Sequence, residues 1–158
     1  MKDIVVSSSP HVHSPEDTPW IMRQVVYALI PGALVGVYFF GIPAITVIAV
    51  AVVSCVVIEA LWQKLTKKDI TVTDGSAALT GLLLAMNLPS GSPWWLVVLG
   101  SLIAIIIGKQ VYGGLGNNPF NPALVARVFL LISFPVHMTT WPDRKSTRLN
   151  SSHTVLSR

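Results

Sequence analysis

The chain has 158 residues, of which 52% are hydrophobic and 11% charged, and its mean hydropathy is +0.64. This balance excludes an ordinary soluble domain of the same size and predicts a membrane protein in contact with a lipid bilayer. The net charge of +4 does not indicate nucleic-acid binding, because residues 143–158 alone contribute +3, from four cations and one anion. The single cysteine, Cys55, excludes an internal disulfide.

The first nineteen residues are polar and contain two Ser-Pro pairs, which predicts a cytoplasmic arm over 1–19 and no cleavable signal peptide. His11 and His13 lie in this arm. Two histidines without a nearby cysteine or pair of acidic residues do not favour a metal site over an ordinary polar arm. We therefore predict no metal ligands in this sequence.

No charged residue separates Arg23 from Glu59. At about 1.5 Å per residue, this run is nearly twice as long as a hydrocarbon core of about 30 Å is thick. Two antiparallel helices are therefore predicted, over about 20–40 and 44–61, with a short turn at 41–43 between them.

Three lysines within 64–68 follow the second helix, whereas the turn at Gly41 carries no charge, so the lysine loop is predicted to be cytoplasmic. Glu59 is the only acid in the apolar runs. A carboxylate inside a membrane is a candidate for ion or proton handling. Because Trp62 and the first lysine lie close along the chain, we favour an interfacial carboxylate over an ion site.

Three further helices are predicted, over about 75–88, 94–110 and 121–135. The first of these has about fourteen residues and reaches only about 21 Å, so it is expected to be a tilted or thinned span or a re-entrant half-helix. If it crosses, Lys109 falls on the same side of the membrane as the lysines at 64–68.

Small residues recur at helical spacing in two places and predict close helix packing. Gly32 and Gly36 share one face of the first helix, and Ala77, Gly81 and Ala85 share one face of the third. For Gly32 and Gly36 we favour packing over ligand binding, and the face of the third helix is expected to pack deeply against its neighbours.

The stretch YGGLGNNPFNPALVARVFLLISFP, from Tyr112 to Pro135, combines a glycine turn, two Asn-Pro pairs and an apolar helix. Asn121 is a natural N-cap, and Pro122 suits the first helical position. Unpaired N–H groups, the positive end of the helix dipole and the amides of Asn117 and Asn118 suit a polar or anionic ligand at the membrane boundary.

Arg127 is the one cation within this last helix. Burying it without a partner would be costly. Two interpretations stay open: the side chain extends towards the cytoplasmic headgroups, or it pairs with an anionic ligand or a carboxylate at the start of the helix.

From Asp143 the chain reads DRKSTRLNSSHTVLSR, and its first eleven residues resemble the in-frame translation of a common sequencing adapter. We therefore expect a transmembrane region over 20–142, a non-native tail over 143–158 and a chain that is a fragment lacking later helices. A basic solvated loop is the alternative.

The motifs SSPHVHSP, DGSAALTGLLLAMNLP and GKQVYGGLGNNPFNPALVARVFLLISFP resemble the D subunit of the Rnf electron transport complex. The same family contains the B subunit of the Na⁺-translocating NADH:quinone reductase. The likeness covers about residues 5–142. It implies an all-α polytopic membrane fold, with this chain as the first half of an inverted repeat.

The resemblance also implies a function. The protein would work with other membrane and peripheral subunits in the bacterial inner membrane, with a cytoplasmic N-terminus. The complex would couple electron transfer between ferredoxin and NAD to Na⁺ or H⁺ movement, and this fragment alone is not expected to catalyse a reaction.

The resemblance implies two flavin cofactors. A covalent FMN is attached in the family to a threonine in a Ser-Gly-Ala-Thr motif, which is absent here and expected beyond the equivalent of Pro142. A non-covalent flavin such as riboflavin is placed near Asn118 and Asn121, and we expect Arg127 to support its electron-rich edge.

Two other functions are considered. Asn-Pro-Ala at the start of a short helix is also similar to the half-helices of aquaporins, so a channel or solute transporter is the alternative. Aquaporins need a second such motif, which this sequence lacks. A purely structural membrane scaffold is the third option.

Overall fold

The computed structural model describes residues 18–67, 74–114 and 116–141. All regular structure within these ranges is helical, which confirms the predicted all-α class. In chain order the elements are α1 Thr18–Phe40, α2 Ile42–Leu65, α3 Ser76–Asn87, α4 Trp94–Leu102, a π-helical segment Ile103–Gln110 that continues α4, α5 Pro122–Ser133 and α6 Pro135–Thr139.

Helices α1 and α2 are each long and apolar enough to cross a membrane, judged by length and composition. Their 23 and 24 residues correspond to about 35 Å at the standard rise. Gly41 separates them with a φ of 72°, a conformation that glycine adopts without steric cost. Its backbone N–H still donates to the Val37 carbonyl at 2.8 Å, which closes the last turn of α1.

Helix α3 packs chiefly against α2, and the contact is unusually close. A Cβ atom built on Gly81 would lie 2.7 Å from Val52 Cα and 2.8 Å from the Ala51 carbonyl oxygen. The two helix backbones therefore touch where the small residue allows it. Ala77 and Ala85 are also buried, so the predicted packing face of this helix is confirmed.

The remaining helices are short. Helices α3 and α5 have 12 residues each, or about 18 Å, so neither alone spans a hydrocarbon core of about 30 Å. They pack against each other; in addition, α3 packs against the longer α2, and α5 packs against the π segment. Helix α6 was not predicted as a separate element; it follows a break at Phe134, where φ is −134°.

The sequence predicts one regular helix over 94–110, and this is wrong in its second half. From Ile103 the helix widens into a π turn, in which the Val111 N–H donates to the Ile106 carbonyl five residues earlier at 2.9 Å. Gly108 lies against Pro122, where an added Cβ would be 2.8 Å from Pro122 Cα. The widened turn places Lys109 among buried residues, and π turns recur at functional sites.

Candidate functional site

The start of α5 has the predicted cap. The Asn121 Oδ1 accepts a hydrogen bond from the Ala123 N–H at 3.0 Å, and Pro122 is the first helical residue. The cap therefore satisfies one of the N–H groups that a helix start leaves without a partner. Before it, Gly113, Gly114 and Gly116 have φ values of 107°, 99° and 91°, which carry the chain through a tight turn.

A cleft of about 360 Å³ lies at this helix start, within the size range of small-molecule sites. Its lining is partly polar and partly apolar. The residues are Met22, Ser76, Leu79, Thr80, Leu83, Lys109, Asn118, Pro119, Phe120, Asn121 and Pro122.

The structure brings two of the three predicted site residues together. Asn118 and Asn121 both line the cleft, and the Asn118 Nδ2 has only a long hydrogen bond of 3.4 Å, to the Phe120 carbonyl. Arg127 does not line the cleft, and its Nη1 instead donates to the Asn87 Oδ1 at 2.7 Å, which joins α5 to the end of α3. No carboxylate in the described part of the chain forms a salt bridge with Arg127.

Sequence reasoning missed Lys109 as a site residue. This lysine lines the cleft although only 2% of its surface is exposed. Its Nζ donates to the Glu59 Oε1 at 2.6 Å and to the Ser76 Oγ at 2.6 Å. The Ser76 hydroxyl in turn donates to the Asp74 Oδ1 at 2.6 Å, so the ammonium group contacts one carboxylate directly and a second through a hydroxyl.

Glu59 is fully buried inside the protein, and the interfacial position of this carboxylate stays a prediction. Besides Lys109, its Oε1 accepts hydrogen bonds from the Gln110 Nε2 at 2.9 Å and the Gln63 Nε2 at 3.3 Å. A charge in the protein interior needs such an opposite charge and such donors. Its other oxygen, Oε2, has no hydrogen-bond partner among the residues the structure describes.

One signal in the sequence could have identified this pair. Glu59 and Lys109 are ionisable residues inside apolar runs, have opposite charges, and stand near helix ends assigned to the same membrane face. Two such charges are less costly together than apart. Their spacing of 50 residues concealed the contact.

The family model described as NQR2, RnfD, RnfE matches residues 5–158. The chain belongs to this family. The D subunit of the Na⁺-translocating ferredoxin:NAD⁺ oxidoreductase complex of Acetobacterium woodii is 53% identical over 138 residues, which cover 87% of this chain and 43% of the relative. The D subunit of the ion-translocating oxidoreductase complex of Escherichia coli O1:K1 is 51% identical over 138 residues, which cover 86% of this chain and 39% of that relative.

Membership of the NQR2, RnfD, RnfE family, together with the apolar helices, identifies the chain as a membrane protein. The chain spans about two fifths of the length of the curated relatives it matches. Residues 1–17 of the predicted arm, with His11 and His13, and the segment 142–158 lie outside the described residues, whereas positions 18 and 19 begin α1. The predicted non-native tail over 143–158 therefore stays a prediction.

Proposed function

We propose that this chain is part of a membrane subunit of an ion-translocating electron transport complex, of the type that passes electrons between ferredoxin and NAD. The family and two relatives above 50% identity support this proposal, since both relatives are named as subunits of ion-translocating oxidoreductase complexes and the one from Acetobacterium woodii is named for ferredoxin and NAD⁺. The family and these relatives also make a channel or solute transporter the less favoured function. The other membrane and peripheral subunits of the complex would be its partners, and Na⁺ or H⁺ the transported ion.

We further propose that the cleft at the start of α5 holds a non-covalent flavin, riboflavin or FMN. The observation that carries this proposal is the combination of amide, hydroxyl and ammonium groups with apolar side chains in one cleft. Asn118 and Asn121 would supply hydrogen bonds to the polar edge of the ring, and Leu79 and Phe120 apolar contact with its faces. When bound, a flavin supplies a group that accepts and releases electrons.

The flavin site proposed here excludes Arg127, because that side chain is bound to Asn87 and does not line the cleft. The covalent FMN also stays a proposal. Its threonine is expected in the part of the relatives that this chain does not span.

Replacing Asn121 with serine tests the flavin site. Serine keeps the N-cap, but it removes the amide that would contact the ring. We expect about tenfold weaker retention of the non-covalent flavin, because a polar group of the ligand loses its partner. The measurement is the flavin released by acid precipitation from the full-length protein, since covalent flavin stays with the pellet.

The control for this test is Asn117→Ala, which removes an exposed amide of the same loop that does not line the cleft. Its flavin content should equal that of the wild type. Unchanged release after Asn121→Ser would reject the flavin site without affecting the family assignment.

We also propose that the cleft faces the cytoplasm and that the chain lies in the inner membrane with its N-terminus inside. The Glu59–Lys109 contact supports this orientation, because it brings the end of α2 beside the end of the π segment. Lys64 lies in the last turn of α2 and Lys67 follows the helix, so the positive residues gather at one end of the bundle.

Cysteine labelling tests the orientation in a Cys55→Ala background. Lys64→Cys and Asn117→Cys should react with a membrane-impermeant maleimide only after the cells are permeabilised. Gly91→Cys, in the exposed turn between α3 and α4, should react in intact spheroplasts. Labelling of positions 64 and 117 from opposite sides would contradict the proposed arrangement.

A further inference from the structure

We infer that Lys109 contacts the cleft ligand and favours its negatively charged, reduced form, and that Glu59 and Ser76 position the Lys109 ammonium group for this role. The inference rests on the proposed flavin in the cleft. It adds a residue and an electrostatic preference that the motif around Asn118 and Asn121 does not contain.

The hydrogen bonds of Lys109 leave one N–H group available. An ammonium group has three N–H donors. Among the described residues, Lys109 Nζ has two acceptors, the Glu59 Oε1 and the Ser76 Oγ, each at 2.6 Å. One donor is therefore left for a ligand in the cleft that this side chain lines.

The ion pair has a direction relative to the cleft. Lys109 and Ser76 line the cleft, whereas Glu59 does not. The positive end of the pair is thus nearer to the ligand than the negative end. Because both side chains are at most 3% exposed, water screens this field weakly.

The start of α5 acts in the same direction. Asn121 and Pro122 line the cleft at the positive end of the helix dipole. Asp74, which bonds to Ser76, does not line it. The charges and dipoles that face the ligand are therefore positive, and the carboxylates stand behind them.

The chemistry of flavin links this field to the redox state. Uptake of two electrons and one proton by the neutral ring leaves one negative charge on it. A cleft with a positive wall therefore binds the reduced form more tightly than the oxidised form. In a two-electron couple, each tenfold ratio between the two affinities corresponds to about 30 mV of midpoint potential.

The test compares midpoint potentials in the full-length protein within its complex, titrated with dithionite and followed by absorbance. The absorbance change that is present in the wild-type titration and reduced in that of Asn121→Ser identifies the non-covalent flavin. The double variant Glu59→Gln with Lys109→Met removes both charges of the buried pair, so neither of the two is left without its partner. We expect the flavin that this variant retains to lose about tenfold in preference for the reduced form, a decrease of about 30 mV in midpoint potential.

Lys109→Arg is the matched variant, because it retains the positive charge. Its midpoint potential should stay within about 10 mV of the wild type, well below the shift of about 30 mV that a tenfold change in preference produces. An unchanged potential in the double variant would overturn the inference, while normal flavin content there would leave the flavin site standing. Equal decreases in the double and arginine variants would also overturn it, since they would indicate a packing effect. A wild-type protein without non-covalent flavin would overturn the flavin site itself.

Discussion

Replacing Lys109 with methionine is expected to lower the free energy of unfolding by about 3–5 kcal/mol. The change leaves the Glu59 carboxylate fully buried, with the amides of Gln63 and Gln110 as its donors within the described part of the chain. A buried charge without an opposite charge loses most of the energy that offset its removal from water. Denaturant unfolding of the full-length protein in detergent, followed by tryptophan fluorescence, measures the effect.

Adding Glu59→Gln to Lys109→Met should recover most of that loss, because a neutral buried pair needs no charge compensation. The control is Lys64→Met, at an exposed position one turn beyond Glu59, which should change stability by no more than about 0.5 kcal/mol. If the single Lys109 variant were as stable as the Lys64 control, the buried ion pair would be absent from the folded protein.

Replacing Gly81 with valine is expected to cost about 3 kcal/mol or more and to disrupt the packing of α3 on α2. The first added carbon would already lie 2.7 Å from Val52 Cα and 2.8 Å from the Ala51 carbonyl oxygen. Both are backbone atoms, so no side-chain rotation relieves the overlap. Thermal unfolding of the full-length protein and the yield of folded protein after extraction report the loss.

Gly36→Ala is the matched control, because a Cβ at that position meets no atom within 4 Å. This substitution should leave stability unchanged or raise it by up to about 1 kcal/mol, since alanine favours a helix more than glycine does. Equal losses from Gly81 and Gly36 would show that α2 and α3 do not touch at Gly81.

The glycines of α1 and α3 show what helical spacing of small residues can predict. Gly32 and Gly36 have the four-residue separation of a close helix contact. A Cβ built on Gly36 would meet no atom within 4 Å, whereas one built on Gly32 would lie 3.2 Å from the end of the Met86 side chain. The same spacing in Ala77 and Gly81 does mark a contact. Spacing determines which residues share a helix face, but not which neighbour covers that face.

Part of the candidate site was predictable because it is local. The cap at Asn121 depends on residues within one turn, and the structure contains the predicted bond to the Ala123 N–H. Asn118 stands three positions earlier and lines the same cleft. Arg127 was predicted to support the same ligand, but a residue six positions into the helix bonds to α3 instead.

The sequence by itself determined the all-α membrane class, the helix start at Asn121 and the family, because composition, hydrophobic run length and local caps act over a few residues to one helix length. Only the tertiary structure decided that Glu59 and Lys109 meet beneath the cleft. The physical reason is that a π turn rotates the end of one helix relative to its regular continuation, and a charge inside a membrane protein is stabilised by the partner that packing brings to it.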